Sequence, residues 1–469
     1  MLYEFQRFSH GNIEVNEHDP TADTDALSLA LALDIEEIAI DDISERHLAK
    51  LYGYAGLGVR YGDKSEALND IRSTVHLERE ILQRIINVTS EELPKVGIIK
   101  TDTLTPIPPE MVKRYQLKQP EGLTSQRYSS LYDILLETYE VAHINMDKRE
   151  IPADIQTIVI PGGVEAFLDS PLYMKRIDHF IARGGNALVL APRLDIDLNA
   201  MGRQPHITFK NFLFYDLLKH YGVQIGEHVV LDTYCDNIYA DGGNVPFKYP
   251  YFPVISRDGL NKEHPITTHL SGVILQWASP VKEAEATNDT TFEIDTLLWS
   301  SSDSYGNTPP IGLAPNQDWD RLFDRARRQD KPFGPFPLAV SAQGHFTPYY
   351  TENTAQFETR PGRIVVVGSD NFVKEGGIGL NNDIFIQNSV DWLQRRDDFI
   401  NIRSKNLSDR RISEDPIQDN SPLAQRIRLI NIFLMPVIIC MLGAVIYFRR
   451  RKTEQMSLHN AQKSGADNG

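Results

Sequence analysis

Apolar residues in this chain gather into short dense runs separated by stretches with one-sided spacing. The runs KVGIIK (95 to 100), Val141 to Ile144, TIVIPG (157 to 162), NALVLAP (186 to 192) and HVVLD (228 to 232) have the length and density of strands buried on both faces. Between them, apolar positions spaced for one helical face cover Ser125 to Glu137, Pro171 to Ala182 and Phe209 to Tyr221. That alternation predicts a doubly wound α/β sheet. From about Cys235 to Thr359 the sequence is irregular and rich in Pro, Gly, Asn and Asp. It then returns with the strand RIVVVGSD and a helix over Asp383 to Gln394, so residues 95–402 read as one domain with an insertion at about 235–359. Upstream, 1–94 reads as a small α/β unit: a helix to about Ser9, a strand at Asn12 to Val15, a helix at Ser44 to Leu51, a strand in YAGLGVRYG, a helix over Thr74 to Ile86, and a linker from Glu91 to Pro94.

The longest apolar run lies near the C-terminus. Leu429 to Phe448 is twenty residues without a charge, long enough to cross a bilayer as a helix, and Pro436 inside it is tolerated in such spans. Arg449, Arg450, Arg451 and Lys452 follow at once, against Arg426 and Arg428 on the other flank. The positive-inside rule then predicts a cytoplasmic tail at 449–469 and an extracytoplasmic body joined by a polar stalk at 403–428. The expected location is a bacterial inner membrane, with one visible C-terminal pass. The opening MLYEFQRFSHGNIEVNEHDP has neither a basic n-region nor an apolar h-region, which predicts a true start upstream, with a further apolar span.

Composition removes several function classes. A formal charge of −16 over 469 residues opposes a phosphate backbone, which needs clustered Lys and Arg, so nucleic acid is not an expected partner. Cys235 and Cys440 are the only cysteines, and with Cys440 inside the apolar run neither a disulfide between them nor a cysteine metal cage is expected. No GxxxxGK followed by Ser or Thr occurs, so any ATPase must be a separate subunit. The Gly-Gly pairs at 162, 184, 242 and 376 read as turns, with Gly184 and Gly185 placed just past a helix, where positive φ is wanted. No GxSxG elbow exists, and Ser369, after the last strand, has no identifiable His partner. His143 and His179 read as structural or solvated. Asp232, Asp236 and Asp241 lack calcium-loop spacing and read as a surface turn, and Asp19, Asp23 and Asp25 as helix capping. No catalytic residue, cofactor site or metal ligand is assigned.

The segment TIVIPGGVEAFLDSPLYMKRIDHFIARGGNALVLAP resembles flavodoxin-like and glutamine-amidotransferase-like domains. Where such enzymes present a nucleophilic cysteine after a strand of the NALVLAP kind, Pro192, Arg193 and Leu194 stand here instead, so covalent amide hydrolysis lacks its nucleophile. The whole chain resembles the auxiliary, extracytoplasmic component of ABC-type transporters associated with bacterial gliding motility, the GldG-like family. Its landmarks here are FSHGNIEVNEHDP, YAGLGVRYGDKSEAL, LEREILQRIINVTSEELPKVGII, IDHFIARGGNALVLAPRLD, LLKHYGVQIGEHVVLD, GLNKEHPITTHLSGVIL, PFPLAVSAQGHF, RIVVVGSDNF and NNDIFIQNSVDWLQRRDDFINIRSK. The resemblance implies a membrane permease and an ATPase as partners, and no catalysis. The alternatives are an envelope protein recognising glycan, peptide or lipid without a transporter, and an amidotransferase-like hydrolase with an unmarked site. For an engaging surface, the sequence points to loops at the carboxyl edge (Pro161 to Gly163, Ala191 to Arg193, Ser369 to Asn371) and to the insertion with Tyr234, Tyr239, Tyr249, Tyr251, Phe252 and Trp277, most of these aromatics packing inward. Deleting Asp236 to Pro253 is expected to weaken partner binding and leave the body folded.

Overall fold

A computed structural model describes residues 2–400 apart from short segments, chiefly 102–127, 198–205, 240–245, 285–291 and 352–357; residues 401–469 lie outside it. Among the described residues no helix is long and apolar enough to cross a membrane. The stalk, span and tail expected at 403–428, 429–448 and 449–469 lie outside the described residues.

The N-terminal region holds helices α1 (Leu2–Phe8) and α2 (Thr24–Ala32), the hairpins β1 (Glu37–Ser44) with β2 (His47–Tyr54) and β3 (Leu57–Tyr61) with β4 (Lys64–Leu68), and helix α3 (Leu77–Thr89). Asp23 caps α2 by accepting from the Asp25 N–H. Helix α3 lays Leu77 and Ile81 against Leu68 in a small apolar cluster. Two expectations fail here. Ser44 to Leu51 is not helical: its described residues are the last of β1 and the first of β2 in a hairpin registered Ile40↔Leu51 and Ile43↔Leu48, because Leu48 and Leu51 suit a helical face but cross-strand pairing over Glu37–Tyr54 decides. Asn12 to Val15 forms no strand: Asn12 is a bend, and the Asn12 and Ile13 N–H groups turn back to Ser9.

The main body is a seven-stranded sheet in the order β17-β19-β20-β8-β7-β5-β6. Its members are β5 (Lys95–Ile99), β6 (Glu140–Ile144), β7 (Thr157–Pro161), β8 (Asn186–Leu190), β17 (Phe292–Trp299), β19 (Pro337–His345) and β20 (Pro361–Val367). Strands β6, β5, β7, β8 and β20 are parallel, and β19 alone runs against the rest. Read along the chain, those five stand in the order 2-1-3-4-5, one of the two common orders of doubly wound sheets. The strand period of two explains the dense runs: Val159, Leu188, Leu190, Val365 and Val367 enter one core, and Ile158, Ile160, Ala187, Val189, Ile364 and Val366 the other. Helices α4 (Ser129–Leu136) and α9 (Asn382–Leu393) cover the first face. Helices α6 (Pro171–Ala182) and α7 (Leu213–His220) cover the second, and α5 (Glu165–Leu168) is a single turn before α6. Each fully buried Ile, Leu or Val contributes about 1.5–3 kcal/mol, so the sheet is the source of stability. Helix α6 has the ends its sequence announces: Ser170 at the N-cap, Pro171 in the first turn and Gly184 beyond the last turn at φ +91°.

The expected insertion needs redrawing. HVVLD does not join the sheet. Its core β12 (Val229–Leu231) pairs antiparallel with β18 (Tyr305–Asn307), and β20 takes the place beside β8. Conversely, β17 and β19, both inside 235–359, extend the sheet. What lies outside it comprises β9 (Leu194–Asp197) with β10 (His206–Phe209), β11 (Val223–Ile225) with β16 (Val281–Glu283), the sheet of β13 (Cys235–Tyr239), β14 (Pro246–Ser256) and β15 (Gly272–Ile274), and helix α8 (Trp319–Arg328).

Candidate functional site

In a sheet of this order, ligands favour the crevice at the carboxyl ends of the strands, near the switch point between β5 and β7. The chain fills much of that edge itself. Asp370, 2% exposed after β20, accepts from the Tyr128 hydroxyl at 2.7 Å and pairs with Lys374 Nζ at 3.0 Å, while Lys374 lies over the Tyr128 ring. Gly162, at φ +66° beyond β7, makes room for this node: a Cβ there would stand 2.6 Å from Asp370 Oδ2. Asp370→Ala is therefore expected to cost roughly 2 kcal/mol of stability, because a buried hydroxyl and an ammonium lose a charged partner. Thermal melts check this, and an unchanged melting temperature would refute it.

Ser369, fully buried, donates its hydroxyl to the Gln276 carbonyl and accepts from the Asn371 N–H at 3.3 Å, so its oxygen faces no base. The segment Gln276 to Pro280 is held across the strand end. The Ser279 N–H donates to the Gly368 carbonyl at 2.8 Å and the Trp277 N–H to the Tyr251 carbonyl at 2.8 Å. Arg193, after β8, is buried and spent internally on the Ile225 carbonyl, Asn211 and Glu227.

A Ser–His contact does occur, at a place the sequence does not mark. His264 Nε2 lies 3.1 Å from Ser341 Oγ in the middle of β19. Its Nδ1 accepts the Ile266 N–H at 3.3 Å, which leaves the ring proton on Nε2 and makes the imidazole the donor to Ser341. A general base needs the reverse. Burial, with Arg363 adding to it, pushes His264 down to about 4, and both residues are buried. The pair locks β19 to the loop carrying GLNKEHPITTHL.

A second node joins two other sequence landmarks. Asp178 on α6 is fully buried. It accepts from the Tyr221 hydroxyl and from the Tyr349 and Tyr350 N–H groups at 2.9 and 2.8 Å, and burial, then the Asp178 charge, push the Tyr221 phenol up. His179 meets the Tyr350 carbonyl at 3.2 Å and His220 that of Thr347 at 2.8 Å. These groups pin the chain after β19.

The remaining candidates separate. His143 stacks on Tyr132 with centroids 5.0 Å apart. Asp232 is buried and binds Ser301 and Tyr234, burial raising its pKa against those bonds, so it organises a core loop and is not part of a surface turn. Asp236 accepts from the Asn237 N–H, and Asp241 lies outside the described residues. Asp19 caps a turn through Thr21. Cys235 is a half-buried thiol that burial pushes up to about 11. Among the described residues no three His, Cys, Asp or Glu side chains converge as metal ligands. Tyr249, Tyr251 and Trp277 form a buried cluster, with Tyr251 stacked on Trp277 at 4.5 Å. Deleting Asp236 to Pro253 therefore cannot weaken partner binding and still leave the body folded as expected, since the cut takes Tyr249 and Tyr251 out of a core. Tyr239 alone of the named aromatics is strongly exposed, at 69%. Tyr128 and Lys374 went unmarked: Lys374 stands four residues after Asp370, a spacing that hints at the pair, whereas nothing local marks Tyr128.

Comparison with known proteins places this arrangement. An uncharacterized protein of Borreliella burgdorferi is 21% identical over 440 residues, covering 92% of this chain and 80% of its own. Among solved structures, a ThuA-like protein from Bacteroides uniformis aligns with 65% of this chain and 93% of its own at 11% identity and a TM-score of 0.33. A cytoplasmic protein from Salmonella typhimurium aligns with 64% and 99% at 11% identity and a TM-score of 0.31. The profile of a family of auxiliary components, described as an ABC-type uncharacterized transport system, matches residues 93–395, which span the whole sheet and both helical layers, and the chain belongs to that family.

Proposed function

We propose that this auxiliary component is the non-catalytic or substrate-engaging subunit of a gliding-motility type, GldG-like complex, working with a permease and a separate ATPase subunit. Its body is extracytoplasmic and is held by the span at 429–448 in a bacterial inner membrane. The observation that carries the non-catalytic part is the closure of the strand edge: Tyr128, Asp370, Lys374, Ser369 and Arg193 spend polar groups on one another, on the backbone or on the neighbouring Asn211, Glu227 and Asn371 side chains. A sheet so sealed acts as a scaffold, and its strand order supports a flavodoxin-like reading of the body.

Affinity purification of the full chain from native membranes in mild detergent tests the partnership. A multi-span permease and a P-loop ATPase are expected to copurify. A chain that comes out alone, or with neither of these, would overturn the proposal.

A further inference from the structure

Helix α8 has one face with no use inside the fold. Its inner face puts Phe323 and Ala326 into the aromatic cluster of the insertion, with Trp319 and Leu322 beside them. Opposite, at helical spacing, stand Arg321, Arg325 and Arg328, all exposed, with exposed Lys331 just beyond the helix. Asp324 and Asp303 pair with Arg327, on the flank of the helix, and no ion pair engages the three outward arginines among the described residues. The helix dipole favours cations in the last turn, which accounts for Arg328 and in part for Arg325. It disfavours Arg321, in the first turn beside the N-cap Asp318. In a chain of net charge −16, an outward row of guanidiniums without ion-pair partners among the described residues is electrostatically suited to an anionic partner.

We propose that this face of α8 docks the body onto an anionic phospholipid surface. Charge complementarity selects an anion. The choice of lipid rests on the membrane-anchored reading above, because an anchor at 429–448 joined by a stalk of some two dozen residues keeps a bilayer permanently at high effective concentration. Arginine suits the task, since its fork binds phosphate in a bidentate manner. Contacts of this kind weaken about fivefold for each charge removed and fade with salt.

The test uses the full chain carrying Gln329→Cys, with Cys235→Ser and Cys440→Ser, labelled with an environment-sensitive fluorophore. The labelled chain is mixed with vesicles of phosphatidylcholine alone or with phosphatidylglycerol, each containing a headgroup quencher. Flotation reports attachment, and quenching reports contact of α8. Flotation with both vesicles, with strong quenching only where phosphatidylglycerol is present, lost at high salt and lost in Arg321→Glu with Arg325→Glu, supports the proposal. Flotation only with phosphatidylglycerol would keep the docking face and remove the anchor. Flotation with both but equal quenching in the two, or quenching unchanged by charge reversal, would overturn the docking face and keep the anchor. Absence of quenching in every vesicle, with protection of the label only when the copurified transporter is added, would also overturn it and make the face a protein interface.

Discussion

Gly368→Ala is expected to destabilise the body strongly. The residue follows β20 directly, where the segment Gln276 to Pro280 crosses the strand end. A Cβ on Gly368 would stand 1.9 Å from the Ser279 carbonyl oxygen and 2.9 Å from Val281 Cγ2. The first obstacle is backbone and cannot rotate away. The hydrogen bond from the Ser279 N–H to the Gly368 carbonyl and that from the Gly368 N–H to the Leu338 carbonyl hold both sides of the clash in place. Overpacking against fixed backbone costs about 3 kcal/mol or more, so Tm is expected to fall by roughly 4 °C or more for a body of this size. Gly53→Ala, whose Cβ would meet nothing within 4 Å, is the control and is expected to melt as wild type. A Gly368→Ala protein that melts with the control would mean that the segment does not seal the strand edge. The seal on which the scaffold reading rests would then be gone.

How far the sequence could carry the fold depends on where each element finds its partners. KVGIIK, TIVIPG, NALVLAP and RIVVVG became sheet strands because fully buried strands are apolar on both faces, a property visible in five residues. Helix α6 was legible to its ends, since Ser170, Pro171 and Gly184 cap it locally. HVVLD carries the same local signature as those strands, yet it pairs with Tyr305–Asn307. Only the long-range competition with β20 for the edge of β8 decides that. Strand β17, FEIDTLLW, alternates in burial at its start and hides its sheet membership in a stretch that otherwise reads as loop. At the strand edge the split is the same. Ser369 and Asp370 were marked by their place after a strand. Tyr128, which completes the node across 242 positions of sequence, and the His264–Ser341 contact across 77 have no local signal, because only the folded chain brings them together.

The His264–Ser341 lock also predicts an acid limit to stability. His264 is held neutral in the folded chain, with a pKa brought from 6.5 to about 4 first by burial and then by Arg363. In the unfolded chain it takes a proton near its ordinary value. Above about pH 6.5 the residue is neutral in both states, and its native contacts contribute in full. As pH falls from there toward 4, the unfolded state binds a proton that the folded state refuses, and stability declines across that window. Below about 4 both states are protonated and the loss is complete. At about 1.4 kcal/mol per unit, the full loss is up to roughly 3 kcal/mol. His228, also pushed down chiefly by burial, bends the curve the same way, so a residual slope is expected once His264 is gone. His264→Gln keeps a polar side chain near Ser341 and removes the titration. Denaturant melts of both proteins at pH 7.5, 6, 5 and 4 are expected to show the wild type losing stability steeply below pH 6.5 and the variant, less stable at pH 7.5, losing distinctly less. Parallel curves for the two proteins would show that His264 does not sit neutral against Ser341, and with that the assignment of its proton to Nε2 would fall.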